Sequence, residues 1–389
     1  MLTHNYPRSE DDYAGVFVHL LCRRLLENDI EPVVLAPHDA GAAEYEDMDG
    51  VKVYRFRYAL RDEDEDIAYR GQMHKLVTGS IGGALRFKRF LDAFKTAAFE
   101  TIARERINVI AGHWLVPAGM VMRTIARKTE LPMILSSHGT DIRLMSKYFG
   151  LPYKYLKKLA FQLHAWTVVS NYLKNEMVRM DGNLQDRISV LPLPHDENLF
   201  DRDPSVKKDP NLIVSVTRYT EQKRVDYLVK AFSKARLSFP EARLEIYGEG
   251  PNQSEIEALI KQLGLPESVS VHQPVPQAKL RDIYNRASVV VLNSYREGFG
   301  LTLSEAMLCG TAVVGTNSGG IPDIIEHDRR GLLVEPDDIA SLSEAMQLLL
   351  KDSDLRERLA AEGYRFARDN YASSALAKKY ADLVRGAVG

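Results

Sequence analysis

The sequence predicts an α/β protein with two Rossmann-like domains, and three observations support this fold class. The chain has 389 residues, which is more than a single hydrophobic core usually serves. Short β-branched segments alternate with longer helical patterns along most of the chain, which is typical of βαβ units with parallel sheets. A proline-rich, charged stretch at residues 192–211 has no usable periodicity, and we interpret it as the linker between the domains.

The N-terminal domain is predicted to span residues 1–191. Its strands are expected at the segments EPVVLA, NVIAGH, PMILSS and AWTVVS, which are short and rich in apolar and β-branched residues. Met1 to His4 precede the first loop. This is short for a full strand, so the first strand is either clipped or begins upstream of this sequence.

The C-terminal domain is predicted to span residues 212–364, with strands at LIVSVT, RLEIYG, VSVH, SVVVLNS, TAVVGT and GLLVE. These apolar runs indicate strands that are buried on both faces of a parallel sheet. The final segment, residues 365–389, is predicted to cross back and to pack its last helix on the N-terminal domain. Because ligands of open α/β sheets bind beyond the carboxyl ends of the strands, we expect a site in a crevice between the domains.

Composition and charge exclude several classes of protein. The formal net charge of -2 gives no overall attraction to nucleic acid, so no nucleic-acid partner is predicted. Cys22 and Cys309 lie far apart in predicted helices, which is typical of reduced thiols in a cytosolic protein and offers no metal-ligand spacing. The sequence shows no run of about 18 apolar residues and no secretory leader, so we expect a cytoplasmic protein. No G-x-G-x-x-G opens either domain, which argues against a nicotinamide enzyme.

The segment EGFGLTLSEAMLCG begins with Glu297 and places a second carboxylate, Glu305, just inside a predicted helix. This helix is expected to run from Thr302 to Leu308 and to end at Gly310, because glycine suits a helix C-terminal cap. One interpretation is a T-x-x-E capping box, in which Thr302 and Glu305 satisfy backbone N–H groups at the start of the helix.

The second interpretation of this segment is an anion-binding site. Backbone N–H groups from Gly300 onward would be free at the start of the helix, and the helix dipole places partial positive charge behind them. Ionised carboxylates accept paired hydrogen bonds from neighbouring hydroxyl groups. Glu297 and Glu305 would therefore bind a sugar on one side of a diphosphate and a ribose on the other.

The run EGFGLTLSEA, followed by CGTAVVGTNSGGIPDII, resembles the E-x7-E signature of the fourth family of retaining glycosyltransferases. Further matching segments follow the expected order, namely THNYPRSEDDYAGVFV, HGTDI, SVTRYTEQKRVDYLVKAF and YGEGP. The resemblance covers nearly the whole chain and favours the anion-binding interpretation over capping alone. It implies a GT-B fold, with two Rossmann-like domains whose parallel sheets face each other across a cleft. It also implies transfer of a sugar from a UDP-sugar or GDP-mannose to a glycan, lipid-linked or small-molecule acceptor.

The resemblance assigns roles to particular residues. Glu297 would contact hydroxyl groups of the donor sugar, and Glu305 would bind the ribose. Arg218 and Lys223 would neutralise the diphosphate, and His138 would reach a sugar hydroxyl from the opposing domain. The other residues that it assigns to donor binding are Gly15, Asp141, Gly248, Val275, Phe299, Gly300, Leu301 and Thr302. These roles are chemically reasonable, because cleavage of the bond to a nucleoside diphosphate builds negative charge that cations and N–H groups stabilise.

Two departures from the family pattern and one competing motif qualify this assignment. The segment LPLPHDENLF replaces the family's usual P-N-G-V-D turn, and Arg224 stands where glycine commonly follows the lysine. The run DEDED at Asp62 to Asp66 contains D-x-D spacings, which in the other large glycosyltransferase fold hold a divalent metal. No apolar strand directly precedes this run to place it at a nucleotide site, so we interpret it as a solvated acidic run. We therefore predict neither a metal nor a cofactor.

Two other functions stay open at this point. One is a nucleotide-sugar epimerase of the same fold, and the other is a sugar-nucleotide-binding protein without turnover. Epimerisation calls for positioned acid and base groups, and the sequence identifies none.

The helix predicted at residues 85–102 has an apolar face and a basic start. The apolar face comprises Phe87, Phe90, Leu91, Phe94 and Ala98, and the basic residues are Arg86, Lys88, Arg89 and Lys95. One interpretation is a core helix with solvated basic residues. The other is peripheral, salt-sensitive attachment to an anionic membrane at its inner face, as in family members that act on lipid-linked acceptors. The stretch upstream, residues 69–83, is expected to be mobile.

Overall fold

A computed structural model describes residues 1–9, 12, 14–69, 73, 79–143 and 158–389. The chain divides into two compact units, residues 1–194 with 373–389, and residues 195–372. The stretch interpreted as a linker is shared between them, because residues 195–211 belong to the second unit. Most of the stretch at 69–83 lies outside the described residues. Among the described residues, no helix has the length and apolar character that a membrane span requires.

The first unit is a mixed α/β structure. Its strands are β1 (Val33–Pro37), β2 (Tyr45–Met48), β3 (Val51–Phe56), β4 (Ile110–His113), β5 (Met133–Ser137), β6 (Ala165–Val168) and β7 (Ile188–Val190). Its helices include α1 (Val16–Leu26), α2 (Ile81–Glu105), α3 (Met120–Ile125), α4 (Asn171–Met180) and the C-terminal helix (Ser373–Val388). The four strands predicted here are confirmed as β1, β4, β5 and β6.

The sheet order among the described residues is β1-β3-β2 and β4-β5-β6-β7. Leu2 joins the two sets, because it forms parallel bridges to Leu35 of β1 and to Gly112 of β4. The short N-terminal segment therefore takes the place of a strand between β1 and β4.

The sequence did not predict β2, which pairs antiparallel with β3. The two strands are joined at Asp49 and Gly50, which both have positive φ values of 53° and 82°. Such turns suit the twist of a hairpin, and Asp-Gly is a common sequence for them. The alternating exposure of β2 also places it at the edge of its set.

The second unit, all of whose residues are described, contains a six-stranded sheet in the order β10-β9-β8-β11-β12-β13. The strands are β8 (Leu212–Val216), β9 (Arg243–Tyr247), β10 (Val269–His272), β11 (Val289–Leu292), β12 (Ala312–Thr316) and β13 (Leu332–Val334). Every pair is parallel, and all six predicted strands are confirmed. β11 and β12 are buried along their whole length, as expected for central strands covered on both faces.

Helices connect these strands. They are α5 (Val225–Ser238), α6 (Gln253–Gln262), α7 (Gln277–Arg286), α8 (Leu301–Leu308), α9 (Ile321–Ile324), α10 (Ile339–Lys351) and α11 (Ser353–Tyr371). The predicted cap at Gly310 is confirmed, because its φ is 63° and the Thr311 N–H donates to Ala306 O at 3.0 Å. Helix α8 therefore lies between two buried strands, with its first turn next to the carboxyl end of β11.

Candidate functional site

The turn before α8 presents a row of unpaired backbone donors. Gly300 precedes the helix with a φ of 118°, a conformation that glycine tolerates. Within the described part of the chain, the N–H groups of Phe299, Gly300, Leu301 and Thr302 have no hydrogen-bond partner. The first N–H groups of a helix cannot bond within it, and the helix dipole adds partial positive charge. This turn is therefore suited to bind an anion.

Lys223 and Glu297 form an ion pair beside this turn. The Lys223 ammonium donates to Glu297 Oε2, and each side chain is 15% exposed. Burial raises the pKa of the Glu297 carboxyl, but Lys223 and the Gly298 N–H outweigh it, so the pKa lies below its usual value. Glu297 is therefore ionised at neutral pH and can accept hydrogen bonds.

Backbone contacts hold the Lys223 and Glu297 loops together. The Tyr295 N–H donates to Gln222 O at 2.8 Å, and the Gln222 side-chain amide donates to Arg296 O at 3.2 Å. The two loops follow β8 and β11, which are neighbours in the sheet. The parallel topology thus brings together two residues that are far apart in the sequence.

A second glycine-containing loop, after β12, supports Glu297 from the other side. The Gly320 N–H donates to Glu297 O at 2.8 Å, and the Arg296 N–H donates to Ser318 Oγ at 2.8 Å. A Cβ atom at Gly319 would lie 2.1 Å from Glu297 O, and φ there is 66°. No role was predicted for Gly319, although the Ser-Gly-Gly sequence directly after a buried strand is a signal for such a close approach.

The capping-box interpretation of Thr302 and Glu305 is wrong. Helix α8 begins at Leu301, and Gly300 at the cap position offers no side chain. Thr302 Oγ1 instead donates to Val216 O at 2.9 Å. Thr302 and Glu305 are both inside the helix, so their side chains cannot satisfy the first N–H groups in the way that a capping box requires.

Glu305 is buried, and its carboxyl group is protonated below about pH 7. It is 9% exposed and accepts a hydrogen bond from the Tyr284 hydroxyl at 3.0 Å. Burial raises the pKa of Glu305 to about 7, and the Tyr284 hydrogen bond opposes this only in part. The ribose contact implied by the resemblance stays a prediction, and the contact with Tyr284 was not foreseen because that residue lies on another helix.

Arg218, Gly248 and Val275 lie on the loops that follow β8, β9 and β10. The Arg218 side chain is exposed and, among the described residues, makes no hydrogen bond or ion pair. A Cβ atom at Gly248 would lie 1.9 Å from Thr217 O, so Gly248 allows the two loops to meet. Val275 is partly exposed. All three lie at the carboxyl edge of the sheet, and the donor contacts that the resemblance implies for them stay predictions.

In the first unit, His138 follows β5 and forms a pair with His113 at the end of β4. His113 Nδ1 lies 3.0 Å from His138 Nε2, and the planes of the two rings are within 2° of parallel. Burial lowers the pKa of His113 to about 3 and also lowers the pKa of His138. Both imidazoles are therefore neutral, and one proton lies between them. His113 was not predicted as a site residue. Its position at the end of β4 is a signal for this role, because His138 directly follows the end of the neighbouring strand β5.

Asp141 and Gly15 shape the surroundings of His138. Asp141 is 3% exposed and accepts hydrogen bonds from the N–H groups of Leu115 at 2.8 Å and Gly139 at 3.0 Å. Burial raises the pKa of Asp141. Gly15 precedes α1 with a φ of 68°, and a Cβ atom there would lie 2.3 Å from Asn5 O. Asp141 thus holds the loop that carries His138, and the donor contacts predicted for it and for Gly15 stay predictions.

A pocket in the first unit lies beside the histidine pair. It is lined by Phe17, Leu21, His113, Ser136, His138, Thr167, Val169, Leu191, Pro192, Leu193, Pro194, Leu376 and Tyr380. Phe17, in the first turn of α1, lies 4.9 Å from His138 between ring centroids. Gly15, His113, His138 and Asp141 are therefore gathered in one part of this unit.

The acidic run at Asp62 to Asp66 differs from its prediction. Glu65 is fully buried, and its Oε2 lies 2.5 Å from His38 Nδ1. Arg57 donates to Glu65 at 3.2 Å and to Asp62 at 2.7 Å. The run is therefore not solvated throughout, because a buried carboxylate requires charged or hydrogen-bonding partners. His38, Asp62 and Glu65 have metal-ligand atoms within 4.8 Å of one another, but Arg57 already supplies the positive charge there.

Comparison with solved structures shows which fold this protein has. Sucrose-phosphate synthase from Thermosynechococcus elongatus matches with a TM-score of 0.81 and 20% identity, over 99% of this chain and 97% of that chain. Anabaena Alr3699/HepE, solved in complex with UDP and glucose, matches with a TM-score of 0.73 and 17% identity, over 99% and 98% of the two chains. The protein therefore has the GT-B fold of these glycosyltransferases, as predicted.

Sequence comparisons then identify the family. The model named Glycosyltransferase Family 4 matches residues 14–199, and the model named Glycosyl transferases group 1 matches residues 196–366. The uncharacterized glycosyltransferase MJ1607 of Methanocaldococcus jannaschii is 26% identical over 99% of this chain and 97% of that protein. N-acetyl-alpha-D-glucosaminyl L-malate synthase of Bacillus anthracis is 25% identical over 72% of this chain and 75% of the synthase. The chain belongs to glycosyltransferase family 4 and is a glycosyltransferase.

Proposed function

We propose that the protein is a retaining, metal-independent hexosyltransferase that uses a nucleotide diphosphate sugar. The donor is a UDP-sugar or GDP-mannose, and the acceptor is a glycan, a lipid-linked sugar or a small molecule. This activity would serve polysaccharide or glycolipid synthesis.

The observation that carries this proposal is the Lys223–Glu297 ion pair beside four unpaired backbone N–H groups. An ionised carboxylate accepts hydrogen bonds from sugar hydroxyl groups, and the adjacent cation and N–H groups suit a diphosphate. Anabaena Alr3699/HepE, which shares the fold, was solved with UDP and with UDP-glucose. That structure is one reason to include UDP-sugars among the proposed donors.

In the proposed reaction, the bond between the anomeric carbon of the sugar and the diphosphate oxygen breaks. The acceptor oxygen bonds to the same face of that carbon, and its proton passes to a phosphate oxygen of the leaving group. Negative charge grows on the diphosphate, where Lys223, Arg218 and the N–H groups of the α8 turn stabilise it. The role of His138 at a sugar hydroxyl is part of the same proposal.

A ligand screen followed by a turnover assay tests this function. UDP-glucose, UDP-N-acetylglucosamine and GDP-mannose are first compared by thermal shift, because a ligand that binds only the folded state raises the melting temperature. The preferred nucleotide sugar is then incubated with and without candidate acceptors. Release of nucleoside diphosphate together with a new α-glycoside supports the proposal.

The same assay separates the two other functions. An epimerase changes the sugar of the nucleotide sugar without any acceptor, and a binding protein leaves the nucleotide sugar unchanged. A glycosidic product of inverted configuration would contradict retention while leaving sugar transfer in place.

A further inference from the structure

The first and last residues of the second unit lie side by side. The backbone N–H of His195 donates to Tyr371 O at 2.9 Å, and His195 forms a parallel bridge with Ala372. Residues 195 and 372 are the two ends of this unit. His195 also lies in the turn PHDENLF, which departs from the usual sequence of the family.

The His195 side chain reaches from these chain ends to helix α8. His195 Nε2 lies 2.9 Å from Ser304 Oγ, and both residues are buried, with exposed fractions of 3% and 0%. Ser304 Oγ also donates to Leu301 O at 3.0 Å. A carbonyl oxygen only accepts hydrogen bonds. The single hydroxyl proton of Ser304 is therefore used in the hydrogen bond to Leu301 O. We therefore assign to His195 the tautomer with the proton on Nε2, in which Nε2–H donates to Ser304 Oγ.

Aromatic contacts hold the other side of the α8 turn to the same chain ends. The Phe299 ring lies 5.3 Å from the Tyr371 ring in an edge-to-face arrangement and 6.3 Å from the His195 ring. Phe299 precedes Gly300, and Ser304 lies in the first turn of α8. The turn with the four unpaired N–H groups is thus held on both sides of its glycine.

We propose that His195 is a positioning residue for the nucleotide diphosphate: its Nε2–H bond to Ser304 holds the first turn of α8 so that the N–H groups face the phosphates. This inference rests on the proposed function. The bond matters because glycine at the cap position leaves the turn without a side-chain cap of its own. His195 supplies from another segment the restraint that a capping side chain would give.

Two substitutions of His195 distinguish its hydrogen bond to Ser304 from a role in packing alone. In His195→Gln, the side-chain amide nitrogen occupies nearly the place of Nε2 and can still donate to Ser304. In His195→Asn, the amide nitrogen reaches only the place of Nδ1. Ser304→Ala removes the acceptor, and His164→Asn at an exposed histidine of the first unit is the matched control.

Binding of UDP, GDP and ADP to each variant is measured by calorimetry, together with uridine as a probe that lacks phosphates. We expect His195→Asn and Ser304→Ala each to weaken binding of the preferred diphosphate by about tenfold, the scale of one hydrogen bond. His195→Gln and the control should stay within about threefold of the wild type. Uridine binding should not change. The double variant His195→Asn, Ser304→Ala should be no weaker than either single variant, because both remove one interaction.

Several outcomes would overturn the inference. Equal diphosphate binding by the wild type and by folded His195→Asn would show that the bond does not position the phosphates. Equal losses in His195→Gln and His195→Asn, or equal losses for uridine and UDP, would assign His195 to packing alone. If His195→Asn does not fold, Ser304→Ala decides, since it deletes only a hydroxyl group. Failure of the wild type to bind any nucleoside diphosphate would instead refute the proposed function.

Discussion

Lys223 is the side chain on which the proposed chemistry depends most directly. Its ammonium pairs with Glu297 beside the α8 turn, where it would stabilise charge on the leaving diphosphate. We expect Lys223→Ala to lower kcat by about a hundred- to a thousandfold, the scale of losing one preorganised charge stabiliser. Binding of the sugar donor should weaken less. Steady-state kinetics with the preferred nucleotide sugar provides the measurement.

A matched control for this substitution is Lys230→Ala, because Lys230 lies on the following helix and pairs with Asp226 at 3.2 Å. It should leave the kinetics unchanged. A kcat within about threefold of the wild type in Lys223→Ala, with only KM raised, would make Lys223 a uniform binding contact and contradict the proposed role.

Glu305 makes stability depend on pH through its raised pKa. The pKa is raised from 4.5 to about 7 by burial. Below pH 4.5 the carboxyl is protonated in both states, and between pH 4.5 and 7 the unfolded chain loses this proton while the folded chain keeps it. Stability is therefore lost as pH rises through this window. Since one pKa unit corresponds to about 1.4 kcal/mol, the loss is of order 3 kcal/mol.

Glu305→Gln should remove this loss, because an amide does not ionise and can still accept from Tyr284. The melting temperature of the variant should gain on the wild type as pH rises from 4.5 to 7 and keep that gain above pH 7. The exposed residue Glu344 of α10 offers a control, Glu344→Gln, with no such trend. A constant difference between Glu305→Gln and the wild type across this range would refute the raised pKa.

At the scale of the secondary-structure elements, helix α2 has a buried apolar face and an exposed start. Phe90 and Phe94 are fully buried, and Phe94 stacks on Phe56 of β3 with 4.6 Å between ring centroids. The interpretation of a core helix is therefore confirmed for the apolar face. The start of the helix remains available for a surface role, because Ile81 and Leu85 are 85% and 56% exposed.

Membrane attachment through the start of α2 remains a proposal. Arg86, Lys88 and Arg89 are exposed, although Lys88 pairs with Asp92 at 2.8 Å. We expect sedimentation with anionic vesicles at low salt, weaker binding at moderate salt, and loss of binding when these three residues are replaced by Glu. Each basic residue near an anionic surface contributes about 1 kcal/mol. Neutral vesicles are the control, and equal sedimentation with both vesicle types would leave α2 with a packing role only.

At the scale of the whole molecule, the distribution of positive charge predicts how the enzyme responds to chelators. In the proposed mechanism, the side chains of Lys223 and Arg218 and the N–H groups at the start of α8 provide positive charge for a diphosphate. Activity should therefore survive excess chelator followed by desalting. As a control, Asp62→Asn should leave activity unchanged, because Asp62 is an exposed partner of Arg57. Full loss of activity with rescue by magnesium or manganese would contradict metal independence.

The sequence by itself determined the elements that depend on local patterns. Ten predicted strands are present, because short apolar runs rich in β-branched residues, such as those of β11 and β12, favour strands that are buried in a sheet. The helix cap at Gly310 was predicted for a similar reason, since only the local backbone conformation matters there. The sequence also predicted that Glu297 lies in a loop and Glu305 inside the helix that follows, because both positions depend on one local segment.

The tertiary structure alone decided which distant residues meet. Glu305 bonds to Tyr284 rather than to its own helix start, Glu65 is buried beside His38, and His113 pairs with His138. Each of these contacts joins polar groups on different elements, and no local periodicity records such a neighbour. The free energy of burying a polar group depends on the partner that the fold supplies. The role of a buried carboxylate or imidazole is therefore decided only when the sheet has placed the strands and loops around it.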